Sequence, residues 1–359
     1  YDQAQPFVYD WSYSNEVRQR HCDHITPGKH SSELFAEATI EFLEGYDFEK
    51  PFFAYVSFMA PNDPRTMPRR FLDMYDPQQI DLPPNFLPEH PFDNGEMVVR
   101  DEKLAPWPRT PDEVRRHTAE YYAMISHLDH QIGRVLRALE ATGQADNTII
   151  VLAGDNGLAI GRHGLFGKQN MYDHSLHVPL LMSGPGIPQN QRSDAFCYLL
   201  DIYPTLCDLV GMPIPTTVEG RSLLPALRDP GATVRETLSF AYRGVQRAVQ
   251  DDRFKLIEYV VQGQQTTQLF DLRADPWEIH NLADEPQYAG VLSGLRAALK
   301  QHRDDLDAIL IATPAEWHAI MATDSMNTGK HVGSEVPGAL TLDACCHEED
   351  ADYIALLKR

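Results

Sequence analysis

The sequence predicts an α/β protein: a mixed sheet flanked by helices, followed by a small C-terminal antiparallel α+β subdomain. Three observations carry this. A strand-length apolar run, Thr148 to Ala153, follows directly on a long helical stripe, as in an α/β layer. A second unbroken apolar run, Pro51 to Ala60, has the length and composition of a strand buried on both faces of a parallel sheet. After Pro230 the pattern changes to short, turn-separated runs of strand length, which suit an antiparallel sheet. The organisation expected is an α/β region over 1–232, a small sheet plus helix over 233–317 and a tail over 318–359.

Taken in order, the first thirty residues are polar and aperiodic, and Cys22, Asp23 and His24 match no zinc spacing, so a solvated loop is expected. Ser31 to Tyr46 opens on serines with Glu33 in the first turn. It keeps Leu34, Phe35, Ala38, Phe42 and Leu43 on one face and stops at Gly45, which predicts a helix. The run 51–60 ends in Pro61-Asn62-Asp63-Pro64-Arg65, readable as a proline-rich turn or as a strand end loaded with polar groups for a site. Residues 69–109 are proline-rich and aperiodic, and a connection of that length suits a cover over a cleft.

Thr110 as cap, Pro111 at the first position and Glu113 three residues on give every start signal of a helix. Its apolar stripe, including Val114, Tyr121, Met124, Ile125, Leu128 and Leu139, runs to Gly143. Asp201 to Val210 is a further helix closed by Gly211. Runs near 238–242, 246–250, 254–260 and 268–272, then a helix from Pro286 to Ile311, complete the pattern.

Composition narrows the function. Thirty-one basic and 52 acidic side chains give a net charge of −21, which argues against nucleic acid or an anionic membrane surface as partner. No apolar run reaches the ~18 residues of a membrane helix. The start has no signal-peptide order and no initiator Met, so Tyr1 is not expected to be the natural beginning. The five cysteines form neither a metal motif nor a disulfide framework; Cys197 and Cys207 read as small buried residues.

The chemistry concentrates in Val151 to Pro179. The strand run stops at Gly154-Asp155-Asn156-Gly157; Asn-Gly alone is a turn signal, but a glycine-punctuated loop with His163, Lys168, Tyr172, His174 and His177 follows. Ligands of open α/β sheets bind at the carboxyl ends of strands, which is where Asp155 and Asn156 fall. A carboxylate and an amide oxygen suit a hard cation, calcium or magnesium, although calcium wants about six to eight oxygens. Lys168 would hold a fixed positive charge against oxygens that gain charge during group transfer. His163 is readable as a proton donor to the same anion or as an ordinary surface histidine.

The run Gly154 to Pro179 resembles a signature region of the sulfatases, members of the alkaline-phosphatase superfamily. So do FFAYVSFMAPNDPRTMP at 52–68, DIYPTLCDLVGM with GRSLLPAL at 201–227, and DDRFKLIEY with QLFDLRADPWEIHNLAD at 251–284. The resemblance implies an alkaline-phosphatase-like fold and hydrolysis of a sulfate ester of a sugar or aryl alcohol. It implies Asp155 and Asn156 as two of four protein ligands of Ca2+, with Mg2+ as the alternative, and Lys168, Asn62 and Arg65 on the substrate sulfate. His163 and Asn62 stand with Lys168 as catalytic candidates. A sulfated small molecule or glycan is the partner implied, and a periplasmic or secreted location.

Such enzymes use a formylglycine made from Cys or Ser in Cys/Ser-x-Pro-x-Arg, and no such motif occurs in this chain. The family's part of the fold that carries it is expected to precede Tyr1, so this chain alone is not expected to turn over substrate. Where the family commonly has His after Ala-Pro, this chain has Asn62, which can donate a hydrogen bond but no proton at neutral pH. Phosphonate or phosphodiester hydrolysis within the same superfamily, and non-catalytic binding of a sulfated glycan, are the alternatives.

Overall fold

A computed structural model describes residues 29–304 and two short strands, 308–311 and 331–334. The expected loop at 1–28 and most of the expected tail lie outside the described residues. The chain divides into two compact units, one ending at Tyr288 and one beginning at Ala289.

The first unit opens with α1, Ser31–Gly45, capped by the His30 ring, whose Nδ1 accepts from Ser32 N at 3.1 Å. Helix α2, Pro111–Ala141, starts as the sequence requires: Thr110 and Glu113 form a reciprocal capping box and Pro111 occupies the first turn. Its buried face holds Val114, Ala119, Ala123, Met124 and Leu139, but also His117, Glu120, His127 and Gln131. Ile125, expected in the stripe, is exposed. A polar buried face on a long helix needs partners, and these come from His30, Glu33 and the 63–65 turn. His127 stacks edge-on to His30 at 4.7 Å and lies 3.6 Å from Glu33, while Glu120 lies 3.8 Å from Arg65.

From α2 the chain enters β1, Ile150–Ala153. This strand pairs antiparallel with β2, Leu180–Ser183, across a 26-residue loop containing one turn of helix, α3, Asp173–Leu176. The expected strand at 51–60 is not formed. Segment 51–59 has no ladder partner among the described residues, and Phe53, Tyr55 and Met59 are 79, 84 and 68% exposed. An apolar extended run becomes a buried strand only with neighbours on both edges and layers on both faces, and the β1–β2 pair does not supply them.

Helix α4, Ile202–Val210, is closed by Gly211 at φ +71°, the left-handed cap that glycine adopts without penalty. Its N-terminal approach is pinned by buried Asp201, which accepts from Tyr198 N and Arg221 N at 2.7 Å each and pairs with Arg235.

The expected antiparallel sheet forms, with β3 Leu238–Tyr242, β4 Gln246–Gln250, β5 Phe254–Val261 and β6 Gln264–Asp271 in that order; β6 begins four residues before the run expected at 268–272. Ala248, Ile257, Tyr259 and Phe270 from its inner face pack with Ala159, Leu165, Met171 and Tyr172 of the 154–179 loop into one core cluster. The loop that carries the chemistry therefore rests on this sheet.

In the second unit, α5, Ala289–Asp304, ends before the Ile311 expected for it. The apolar run with Ile309 and Ile311 instead forms β7, Ala308–Ile311, parallel to β8, His331–Ser334. β-Branched side chains favour that strand over a continued helix.

Candidate active site

Asp155 and Asn156 lie just past the C-terminal end of β1. An Asp155 carboxylate oxygen accepts from Asn156 N at 2.8 Å, fixing the turn, and Gly157 packs where any Cβ would strike the His174 carbonyl oxygen. Asn156 and Gly157 line a cleft of about 380 Å³ together with Tyr121, Arg162, His174 and Trp277.

Lys168 stands on the same loop thirteen residues on, and a buried clamp from the proline-rich excursion sets its position. Glu102, 4% exposed, accepts from Phe166 N at 2.9 Å and Gly167 N at 2.8 Å, and pairs with Arg109 at 2.7 Å. Burial pushes the Glu102 carboxyl above its usual range, against the pull of Gly167, Phe166 and Arg109. The Arg109 guanidinium lies over Trp107 and Phe166 at 3.9 and 4.7 Å and donates to backbone carbonyls at 102, 105 and 164. Gln169 Nε2 donates to Asp101 at 2.9 Å, and its Oε1 accepts from Lys168 N at 3.1 Å. The two backbone N–H groups before the lysine are thus held by one carboxylate 64 and 65 residues away in sequence.

The other end of the loop is tied to the antiparallel sheet. Buried Lys255 of β5 pairs with Asp173 and with Glu278 at 2.7 Å, and Glu278 also accepts from Asp173 N at 2.8 Å. The Tyr172 hydroxyl donates to Gln268 of β6 at 2.9 Å.

Two of the residues expected on the substrate or in catalysis take other roles. Arg65 was expected on the sulfate, but it is 1% exposed and turns inward. It lies 3.3 Å from Asp63 and 3.8 Å from Glu120 and hydrogen-bonds the His117 ring, so it holds the 61–65 turn to α2. His163 was expected as a proton donor, but it is buried, adopts φ +53° and stacks on Tyr172 at 3.9 Å. The Asn85 amide donates to Trp277 O at 2.9 Å and to His163 Nε2 at 3.0 Å, which leaves Nε2 an acceptor. Burial, reinforced by the charges of His90, Lys255 and Arg162, lowers His163 to about 3, so it is a neutral packing residue at physiological pH.

Asn62 is exposed at the end of the extended segment, its Oδ1 accepting from Asp63 N at 2.9 Å. Asp63 is buried, and burial raises its carboxyl above the usual range while Arg65, Arg100 and Lys168 pull it down. Tyr121 lies in the field of Arg65, Arg162, Asp63 and Asp155. Asp63 and Asp155 thus both act on Tyr121, and Lys168 acts on Asp63. Among the described residues, no group of three or more His, Cys, Asp and Glu side chains converges as a metal site.

The sequence reading did not find Glu102, Arg109, Lys255 and Glu278. Glu102 and Arg109 sit in an aperiodic stretch, where only a long-range contact reveals their work. Lys255, between Phe254 and Leu256 in a strand, carried the one readable signal, since a buried lysine needs a carboxylate.

Solved structures that this chain resembles show its fold. A protein in complex with its substrate D-glucosamine-2-N,6-O-disulfate matches over 79% of this chain and 72% of its own, with TM-score 0.66 and 24% identity. The phosphonate monoester hydrolase of Agrobacterium radiobacter matches over 78% and 62%, with TM-score 0.65 and 25% identity. The fold is the α/β fold of the alkaline-phosphatase superfamily.

The Sulfatase family model matches residues 3–212 and the model for the C-terminal part of N-sulphoglucosamine sulphohydrolase matches residues 161–305. The chain belongs to the sulfatase family. An arylsulfatase of Clostridium perfringens is 31% identical over 75% of this chain and 57% of its own length; a choline-sulfatase of Rhizobium meliloti is 31% identical over 66% and 47%. The chain spans about half the length of these curated relatives.

Proposed function

We propose that this site belongs to a sulfuric ester hydrolase acting on the sulfate ester of a sugar or aryl alcohol, with calcium, or alternatively magnesium, bound at Asp155 and Asn156. The observation that carries the reading is Asp155-Asn156 at the end of β1, Asn156 opening on the cleft, with Lys168 on the same clamped loop. The donors fit a hard cation in kind; in number they are two of the about six to eight oxygens calcium takes, so the others come from water, substrate or residues beyond those described. When bound, the ion draws charge from the sulfate oxygens and so favours attack at sulfur.

Lys168 then holds sulfate oxygens as their charge grows, and the clamp at Glu102 means it does so without reorganising its loop. Asn62, exposed beside buried Asp63, donates a hydrogen bond to the same anion. The chain contains no Cys/Ser-x-Pro-x-Arg, so its own residues bind and orient the ester while supplying no formylglycine. Turnover by this chain alone is not expected.

Calorimetry with Ca2+ and 4-nitrophenyl sulfate tests the reading: calcium-dependent binding, lost in Lys168→Ala and Asp155→Ala, is expected, and binding indifferent to both substitutions would overturn it. A phosphonate monoester ligand is the second reading, favoured by the fold shared with the Agrobacterium radiobacter enzyme. Binding of phenyl phosphonate monoester in preference to aryl sulfate would select it. A sulfated-glycan binder without catalysis would bind likewise but leave the ester intact even with a nucleophile-bearing partner segment present.

A further inference from the structure

Arg162 lines the cleft, and the reading above does not use its side chain. Its side chain is half-buried and its Nη1 donates to Ala159 O at 3.1 Å. No carboxylate pairs with it among the described residues, and its electrostatic neighbours are the hydroxyls of Tyr122 and Tyr121. The buried arginines are balanced: Arg65 by Asp63, Arg109 by Glu102, Arg235 by Asp201. The two acids on the same cleft, Asp173 and Glu278, are already taken by Lys255. A cation drawn partly out of water without a counter-ion costs stability, and one donor to one carbonyl does not require an arginine.

The position of that charge is specific. Arg162 lines the cleft together with Asn156, Tyr121 and the exposed Trp277. Lys168 acts on Asp63, whereas Arg162 acts on Tyr121 and on His163 and His174. Arg162 so offers a cation inside a cleft of about 380 Å³ that Asn156 also lines, roomy enough for a sugar ring. We propose that Arg162 binds a second anionic group of the ligand, so that the ester this site takes is a sugar bearing a carboxylate or a second sulfate beside its sulfate ester. This rests on the sulfatase reading of the same site. Guanidinium suits both groups, since its paired N–H donors match two oxygens of either.

The test compares two probes that differ by one charge, N-acetylglucosamine 6-sulfate and glucosamine N,6-disulfate, by calorimetry with this chain in Ca2+ at fixed ionic strength. Wild type is expected to bind the disulfate about tenfold tighter or more, the size of one charge-assisted contact. Arg162→Gln should bring both probes to the monosulfate level, and Arg162→Lys should keep part of the preference. Lys168→Gln should weaken both probes alike. Equal affinity of the two probes for wild type, or a preference that survives in Arg162→Gln, overturns the role of Arg162 while leaving the sulfate site standing if Lys168→Gln still weakens both. Failure of wild type to bind either probe overturns both readings.

Discussion

Replacing Glu102 by alanine isolates the clamp that positions Lys168. The carboxylate receives Phe166 N, Gly167 N and the Arg109 guanidinium at 2.7–2.9 Å, with both charged partners 4% exposed or less. Glu102→Ala leaves Arg109 buried without its counter-ion and two backbone N–H groups without an acceptor. Breaking a buried pair from one side costs about 3–5 kcal/mol, against a total stability of about 5–15 kcal/mol. With a urea slope near ~3 kcal/mol/M the midpoint should fall by about 1 M or more. Glu102→Gln keeps the volume and one acceptor oxygen and should lie between. Urea denaturation followed by circular dichroism measures the loss, and hydrogen exchange at Phe166 and Gly167 measures the loosening. A midpoint unchanged in Glu102→Ala, or fast exchange at both amides already in wild type, would refute the clamp.

Acid should destabilise the fold through its buried imidazoles. Burial lowers His163 to about 3 and His90 to about 4, whereas in the unfolded chain each titrates near ~6.5. Above that value both states are neutral. Below it the unfolded chain takes up protons the native state refuses, so stability falls by about 1.4 kcal/mol per pH unit for each histidine until the native groups titrate. Unfolding free energies at pH 7, 6 and 5 measure this, and a flat profile would contradict it. Lys255→Met should cost about 3–5 kcal/mol by stranding Glu278, and Glu278→Gln in the same chain should recover part of it; additive losses in thermal melts would deny the pair. Gly157→Ala forces a methyl against the His174 carbonyl oxygen and should lower stability by about 1–3 kcal/mol and weaken the calcium binding proposed for Asn156; an unchanged melting temperature would mean the turn yields freely.

What was legible in the sequence follows from the range of the interactions. Helix α2 and its cap, α4 and its glycine stop, and the four strands β3 to β6 depend on neighbours a few residues away, and they appear where the pattern put them. The end of β1 with Asp155 and Asn156 was readable because a strand that stops at Gly-Asp-Asn-Gly is a local signal. The run at 51–60 was misread because apolar composition reports a strand's appetite for burial and not whether neighbours are there to satisfy it. Arg65 and His163 were misread because residue type says what a side chain can do and only packing says which way it faces. Glu102 gave no signal at all, since the two backbone N–H groups it holds lie more than sixty residues further along the chain and its ion pair with Arg109 falls in an aperiodic stretch.

The support of Lys168 from one side and of Asp173 from the other means that the stretch 154–179 has no independent existence. Excised as a peptide, or transplanted onto another scaffold, it would carry the acid, the amide and the ammonium but not their arrangement, because a carboxylate from the excursion and an amine from the distant sheet act as its two abutments. Its chemistry is a property of the bridge and not of the span.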